Sequence, residues 1–208
     1  MVADSVESRQ AAKGEWMIKN QWKEAFLRTV QNYENAGLLR SAAQDERLAD
    51  WTAHLTGAVV QTCDSLGWVS AARGNKLHIL PVPHSEYLTL DVMAFSPTST
   101  GGWCFPVAVA ELENSPDERR IAYSLWKVLC VRSDMRIVFC YRRSFADAPK
   151  LVSYLGRVVV ASLTIEDRMS LKGETYVVVG GKNDSAAFPY GFFKWWQLDK
   201  NTGNFSVM

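Results

Sequence analysis

The apolar period of the chain changes after Gly67, and the order of periods limits the folds open to it. Up to that point apolar residues recur at helical spacing. Trp22, Phe26, Leu27, Val30 and Tyr33 predict a helix over Trp16–Leu39, with Gly37 as its stop. Leu48, Trp51, Leu55, Val59 and Cys63 form the stripe of a second, roughly Gln44 to Leu66, and Gly67 follows its last turn. The period then falls to two. "WVSAARGNKLHILPVP" holds a Gly-Asn turn between extended pieces. "EYLTLDVMAF" alternates, with Leu88, Leu90, Val92 and Ala94 on one side and Tyr87, Thr89, Asp91, Met93 and Phe95 on the other.

After the loop "SPTSTGG", the apolar run of "WCFPVAVAELE" predicts a central strand. In "SPDERRIAYSLWKVLCVR" Ser115 can cap a helix, Pro116 suits its first position, and Asp117 and Glu118 suit its first turn. "MRIVFCYR" reads as a strand, "DAPKLVSYLGRVVVASLTIE" as a helix, "ETYVVVGG" as a strand, and "GFFKWWQLDKNTGNFSVM" as a hairpin around Asn201 to Gly203. Helix, three strands, helix, strand, helix, strand is the order of an α/β or α+β protein with helices covering a mixed sheet.

With 208 residues, 48% of them hydrophobic, the chain can bury a substantial core. We expect an N-terminal helical extension over 1–43 and a core domain over 44–208 that ends in an aromatic strand pair. A net charge of +1 gives no basic field that would announce a nucleic-acid partner, though a local patch can serve. Cys63, Cys104, Cys130 and Cys140 form no CxxC pair, which points to a reducing compartment and no zinc site. His54, His78 and His84 lack zinc spacing. No leader pattern opens the chain and no apolar run reaches the ~20 residues of a membrane span, so a cytoplasmic protein without membrane contact is expected. GxGxxG, GxSxG, Walker and HExxH motifs are absent.

The central strand ends in a costly way. Glu111 and Glu113 point to one face, and side-by-side carboxylates in an apolar setting need a cation, a proton or strong donors. Strands adjacent in sequence usually pair, which would bring Asp91 to the same place. Three oxygen-rich side chains suit Mg²⁺ or Mn²⁺; the alternative is a solvated strand end carrying ordinary acids. The "LTLD", "VAVAELE", helix, strand pattern resembles the PD-(D/E)XK nuclease superfamily, the restriction-endonuclease-like fold, over roughly Gln44 to Arg142.

That resemblance implies a three-layer α/β/α core and metal-dependent phosphodiester hydrolysis. Asp91 is then the first metal-binding acid and Glu111 the second, with the Leu112 carbonyl as a further ligand. Glu113 stands where the family usually has a Lys, and Lys127 on the next helix is a candidate for the displaced Lys; its alternative is a solvated surface residue. Leu90 replaces the motif proline. Glu46, Asp50 and His54 on the second helix could approach the metal or form a wet face.

The resemblance implies nucleic acid as partner, with DNA the expected form, and a homodimer would follow from the two sites that duplex cutters often need. The alternative is an inactive nuclease-like domain that binds or regulates. For "FPYGFFKWWQLD" the readings are core or dimer contact against base stacking on aromatics interleaved with Lys194.

Overall fold

The computed structural model describes residues 21–45, 47–97, 102–183 and 188–208. Among these the architecture is α/β, a seven-stranded mixed sheet in the order β1-β2-β3-β4-β5-β6-β7 with six α-helices. The strands are β1 (Val69–Ala72), β2 (Val92–Phe95), β3 (Ala108–Leu112), β4 (Met135–Arg142), β5 (Glu174–Gly181), β6 (Phe193–Leu198) and β7 (Phe205–Val207). Only β3–β4 and β4–β5 pair in parallel; the other neighbours are antiparallel. The parallel pairs need crossovers. These are α4 (Glu118–Leu129), between β3 and β4, and α5 (Ala148–Val158) with α6 (Ile165–Ser170), between β4 and β5.

The helices α1 (residues 21–31), α2 (Tyr33–Gln44) and α3 (Leu48–Ser65) precede the sheet and cover its other face. Trp22, Phe26, Leu55 and Val59 pack in one buried cluster with Ala94, Ala110, Phe139, Val178 and Trp195. Ile121, Leu125, Leu151 and Leu155 pack in a second with Met93, Val109, Val138, Val177 and Trp196. Alternate strand residues thus serve opposite clusters, which makes three layers. The segment expected as an extension supplies Trp22, Phe26 and Val30 to the first cluster, so its described part is a layer of the core.

Five expectations are corrected. The single helix over Trp16–Leu39 breaks at Asn32, whose ψ of 134° leaves the helical region while its side chain accepts the Glu34 N–H. Gly37 lies within α2. The alternation expected through "EYLTLDVMAF" holds only for Val92–Phe95; Leu88 and Thr89 take φ of 54° and 56°, Leu88 is exposed, and Leu90 joins the α4 side. Asp117, not Ser115, caps α4, accepting the Arg119 N–H, while Ser115 Oγ accepts the Asp117 N–H. The long helix expected after β4 is divided among α5, a 3₁₀ turn at Val160–Ser162 and α6, which begins with a Thr164–Asp167 capping box.

Two glycines have positional reasons. Gly67 (φ 75°) closes α3 in a Schellman turn, with Trp68 N–H on Cys63 O and Gly67 N–H on Asp64 O. A Cβ at Gly180 would come within 2.6 Å of the Tyr141 ring and 2.8 Å of Phe192, so this glycine lets two rings close over the sheet. No helix among the described residues is long and apolar enough to cross a membrane. The four cysteines are free; Cys63 and Cys140 are buried, while Cys130 is exposed.

At the end of the sheet away from Glu111, the buried Arg136 guanidinium donates to the Val131 carbonyl through Nε and Nη2 (3.0 and 2.8 Å) and to the Lys172 carbonyl through Nη1. Losing these donors leaves the two part-buried carbonyls without their guanidinium partner. Arg136→Met, which keeps most of the packing, is expected to lower unfolding free energy by about 2 kcal/mol in urea. An unchanged midpoint would mean that water replaces the guanidinium.

Candidate functional site

β2 and β3 pair with Val92 opposite Ala110, so Asp91, just before β2, falls beside Glu111, near the end of β3. Ala110 and Leu112 serve the α1–α3 cluster, and Glu111 between them projects toward α4. The two acids are cross-linked through the backbone. Leu112 N–H donates to Asp91 Oδ2 at 2.7 Å, and Asp91 N–H donates to Glu111 Oε1 at 3.3 Å. These bonds engage one oxygen of each carboxylate.

Lys127 reaches across from the last turn of α4. Its Nζ lies 2.8 Å from Glu111 Oε1 and donates to the Thr89 carbonyl at 2.9 Å. The Lys127 side chain is 19% exposed and that of Glu111 only 6%, so the pair is shielded and Lys127 is not the solvated surface residue its helix position allowed. Thr89 presents its carbonyl here because the chain turns through two successive left-handed residues, Leu88 and Thr89. Such a backbone costs about 1–3 kcal/mol per non-glycine residue and persists only where the surroundings hold it.

Burial pushes both acids above the usual carboxylate range. For Asp91, desolvation outweighs the Leu112 N–H and the Lys127 charge, and Glu86 and Glu113 add repulsion. For Glu111, desolvation outweighs the Lys127 bond, and Asp91 adds repulsion. Raised carboxyl pKa values mean that stability is fully present below the unfolded range, about 4, and is lost as pH rises through the folded values. At neutral pH the pair is a destabilising element that a cation would relieve.

Glu113 lines the same cleft but is otherwise engaged: Oε1 accepts the Ser115 N–H at 2.8 Å, and Oε2 lies 3.5 Å from Arg120. The expected three-carboxylate cluster is therefore a pair. Among the described residues no three or more His, Cys, Asp or Glu side chains gather as a group able to hold a metal ion. The hard oxygen donors in reach are Asp91, Glu111 and the Leu112 carbonyl, which in extended backbone points to the same side as its N–H, toward Asp91. One or two carboxylates with several retained waters is the usual Mg²⁺ arrangement, so this smaller set fits the ion.

The cleft is open, about 700 Å³, and its lining adds Arg119, Arg120, Tyr123 and Ser124 from α4 to these groups. On the α3 side Asp91 also borders a second groove of about 670 Å³, which Asp50 lines. Asp50 is held in an ion pair by Arg47, His54 lies half-buried on α3 outside both linings, and Glu46 lies outside the described residues. Asn114 ties the β3–α4 turn to α3 by donating to Thr52 Oγ1, while its buried Oδ1 has no protein partner.

Sequence reasoning missed Thr89, whose contribution is a backbone carbonyl set by an irregular turn. It also passed over Arg119 and Ser124, although both fall on the α4 face of Lys127 at helical spacing. The chain matches no protein-family model, no curated protein and no solved structure.

Proposed function

We propose that the protein is a metal-dependent phosphodiester hydrolase, a nuclease of restriction-endonuclease-like architecture acting on DNA. The observation that carries this reading is the Asp91–Glu111–Lys127 arrangement: two cross-bonded, shielded carboxylates from adjacent strands with a lysine ammonium 2.8 Å from one of them, opening on a cleft. Asp91 Oδ1, Glu111 Oε2 and the Leu112 carbonyl would hold Mg²⁺ or Mn²⁺. When bound, the ion supplies Lewis acidity toward a phosphoryl oxygen and lowers the pKa of water.

The chain's own residues do the positioning. Lys127, held by Glu111 and the Thr89 carbonyl, presents its ammonium to the attacking water or a non-bridging phosphoryl oxygen, where charge grows as the new P–O bond forms. Arg120, 68% exposed and only loosely paired with Glu113, is free to turn to a flanking phosphate. As the new P–O bond forms the attacking water gives up a proton to solvent in the open cleft, and as the ester P–O bond breaks a proton from solvent reaches the leaving oxygen. Lys127 thus takes the place of the lysine that Glu113 displaces from the strand.

The Lys127–Glu111 pair also supports a second reading. It balances Glu111 without a cation, as a binding module that no longer cuts would require. Metal titration separates the two. Saturating Mn²⁺ at 100 times its Kd is expected to stabilise the wild type by about 2.7 kcal/mol, a rise in Tm of about 5–10 °C at pH 7.5. Asp91→Asn is expected to abolish that rise, and cleavage of DNA should follow the same metal dependence. A wild-type Tm indifferent to Mn²⁺ and Mg²⁺ would overturn the nuclease reading and leave the binding module.

A further inference from the structure

α4 carries a feature that phosphodiester chemistry alone does not require. Tyr123 and Trp126, one turn apart, stand 60% and 49% exposed on its outer side, with ring centroids 5.9 Å apart and planes inclined by 33°. Of the large aromatics on this helix neither enters the core, whose α4 contribution is Ile121, Leu125, Val128 and Leu129. Tyr123 lines the cleft that holds Asp91 and Glu111, and so do Arg119, Arg120 and Lys127 from the same helix.

Exposed rings cost free energy in water, and this pair stands beside two solvent-exposed guanidinium groups, Arg119 and Arg120. These are held only by surface ion pairs with Asp117 (3.3 Å) and Glu113 (3.5 Å) that a phosphate can replace. That invites a partner apolar and flat in one part and anionic in another. An unpaired nucleic-acid strand has that chemistry: every base offers a π-face and every linkage a negative charge. A duplex does not, because its bases are already stacked on one another. The C-terminal rings of Phe192, Phe193, Trp195 and Trp196 are buried, and the exposed Tyr190 there is a single ring whose hydroxyl is bonded to Gln31.

We infer that the cleft takes single-stranded nucleic acid, with consecutive unpaired bases stacked on Tyr123 and Trp126 while Arg119 and Arg120 hold the flanking phosphates beside Asp91 and Glu111. The inference rests on the nuclease reading and names its substrate class. Tyr123 lines the cleft, and Trp126 stands one turn further along the outer side of α4, outside that lining, so a strand leaving the cleft meets the two rings in succession. It follows that a single strand is preferred over the same sequence as a duplex, and that DNA and RNA strands share the aromatic contacts.

The test is binding of fluorescein-labelled 12-nucleotide single strands, DNA and RNA, and of the corresponding DNA duplex, by fluorescence anisotropy in EDTA and in Ca²⁺. Single strand is expected to bind at least tenfold more tightly than duplex. Tyr123→Ala and Trp126→Ala should each weaken single-strand binding about five- to 150-fold, the range for loss of one stacked base, with near-wild-type binding recovered by Tyr123→Phe and Trp126→Phe. Duplex binding equal to or tighter than single-strand binding overturns the inference, as does single-strand affinity unmoved by either alanine variant. A wild-type dimer in sedimentation velocity that becomes monomeric in Trp126→Ala, with strand affinity unchanged, would assign the rings to a contact between copies and overturn it as well. The nuclease reading fails separately, through absence of Mn²⁺-dependent cleavage of any strand; duplex-selective cleavage would sink only the substrate class.

Discussion

Glu111→Gln is expected to lower metal-dependent cleavage about 10³-fold, the scale of losing one principal electrostatic contributor to a transition state. Glutamine keeps the shape of glutamate and an oxygen that can accept the Asp91 N–H, now bonded to Glu111 Oε1 at 3.3 Å. It removes the negative charge that holds Lys127 at 2.8 Å and that would hold the cation. Both positioning of the ammonium and metal affinity therefore suffer in one substitution. Lys127→Met separates them: it is expected to preserve the Mn²⁺-induced rise in Tm while lowering turnover at saturating metal.

The same substitution should leave the fold standing. Glu111 is desolvated and repelled by Asp91, so removing its charge lifts a cost even as the Lys127 pair is lost. A Tm within a few degrees of wild type, with cleavage gone, is the expected pair of results. Retained cleavage in Glu111→Gln would show that the carboxylates are structural and that hydrolysis occurs elsewhere.

Trp195→Ala is expected to destabilise the protein by about 3–5 kcal/mol, a fall in Tm of about 6–20 °C for a chain of this size. Trp195 is 4% exposed at the centre of an aromatic cluster, with ring centroids 6.0 Å from Trp22, 5.8 Å from Phe26, 6.4 Å from Phe139 and 6.2 Å from Tyr176. It joins α1 to β4 and β5 from β6, and its loss removes all four of these ring contacts. Trp195→Phe should recover most of the loss. Trp103→Ala, at a residue 75% exposed, serves as the surface comparison and should stay within about 0.5 kcal/mol. A shift below 2 °C for Trp195→Ala would mean that α1 does not pack on the sheet as described.

This cluster also decides between the readings of "FPYGFFKWWQLD". The rings close the core, as Phe193 and Trp195 on one side of β6 and Trp196 on the other. Lys194, between them, is exposed and lies 5.2 Å from the Phe145 ring centroid.

By itself the sequence determined whatever depends on local periodicity. β4 and β5 stand where their apolar runs begin and end, and α3 closes at Gly67 because a left-handed residue there is cheap only for glycine. It also determined that Asp91 and Glu111 would meet, since adjacent antiparallel strands place the start of one beside the end of the other. Tertiary structure decided what those acids meet. That Lys127 turns inward depends on how α4 crosses the sheet and on Thr89 offering its carbonyl, and neither is written in a local pattern. That Glu113 turns away depends on competition from the Ser115 N–H and Arg120. Periodicity assigns a side chain to a face; only packing assigns it a partner, because partners come from segments distant in sequence whose approach is fixed by the whole core.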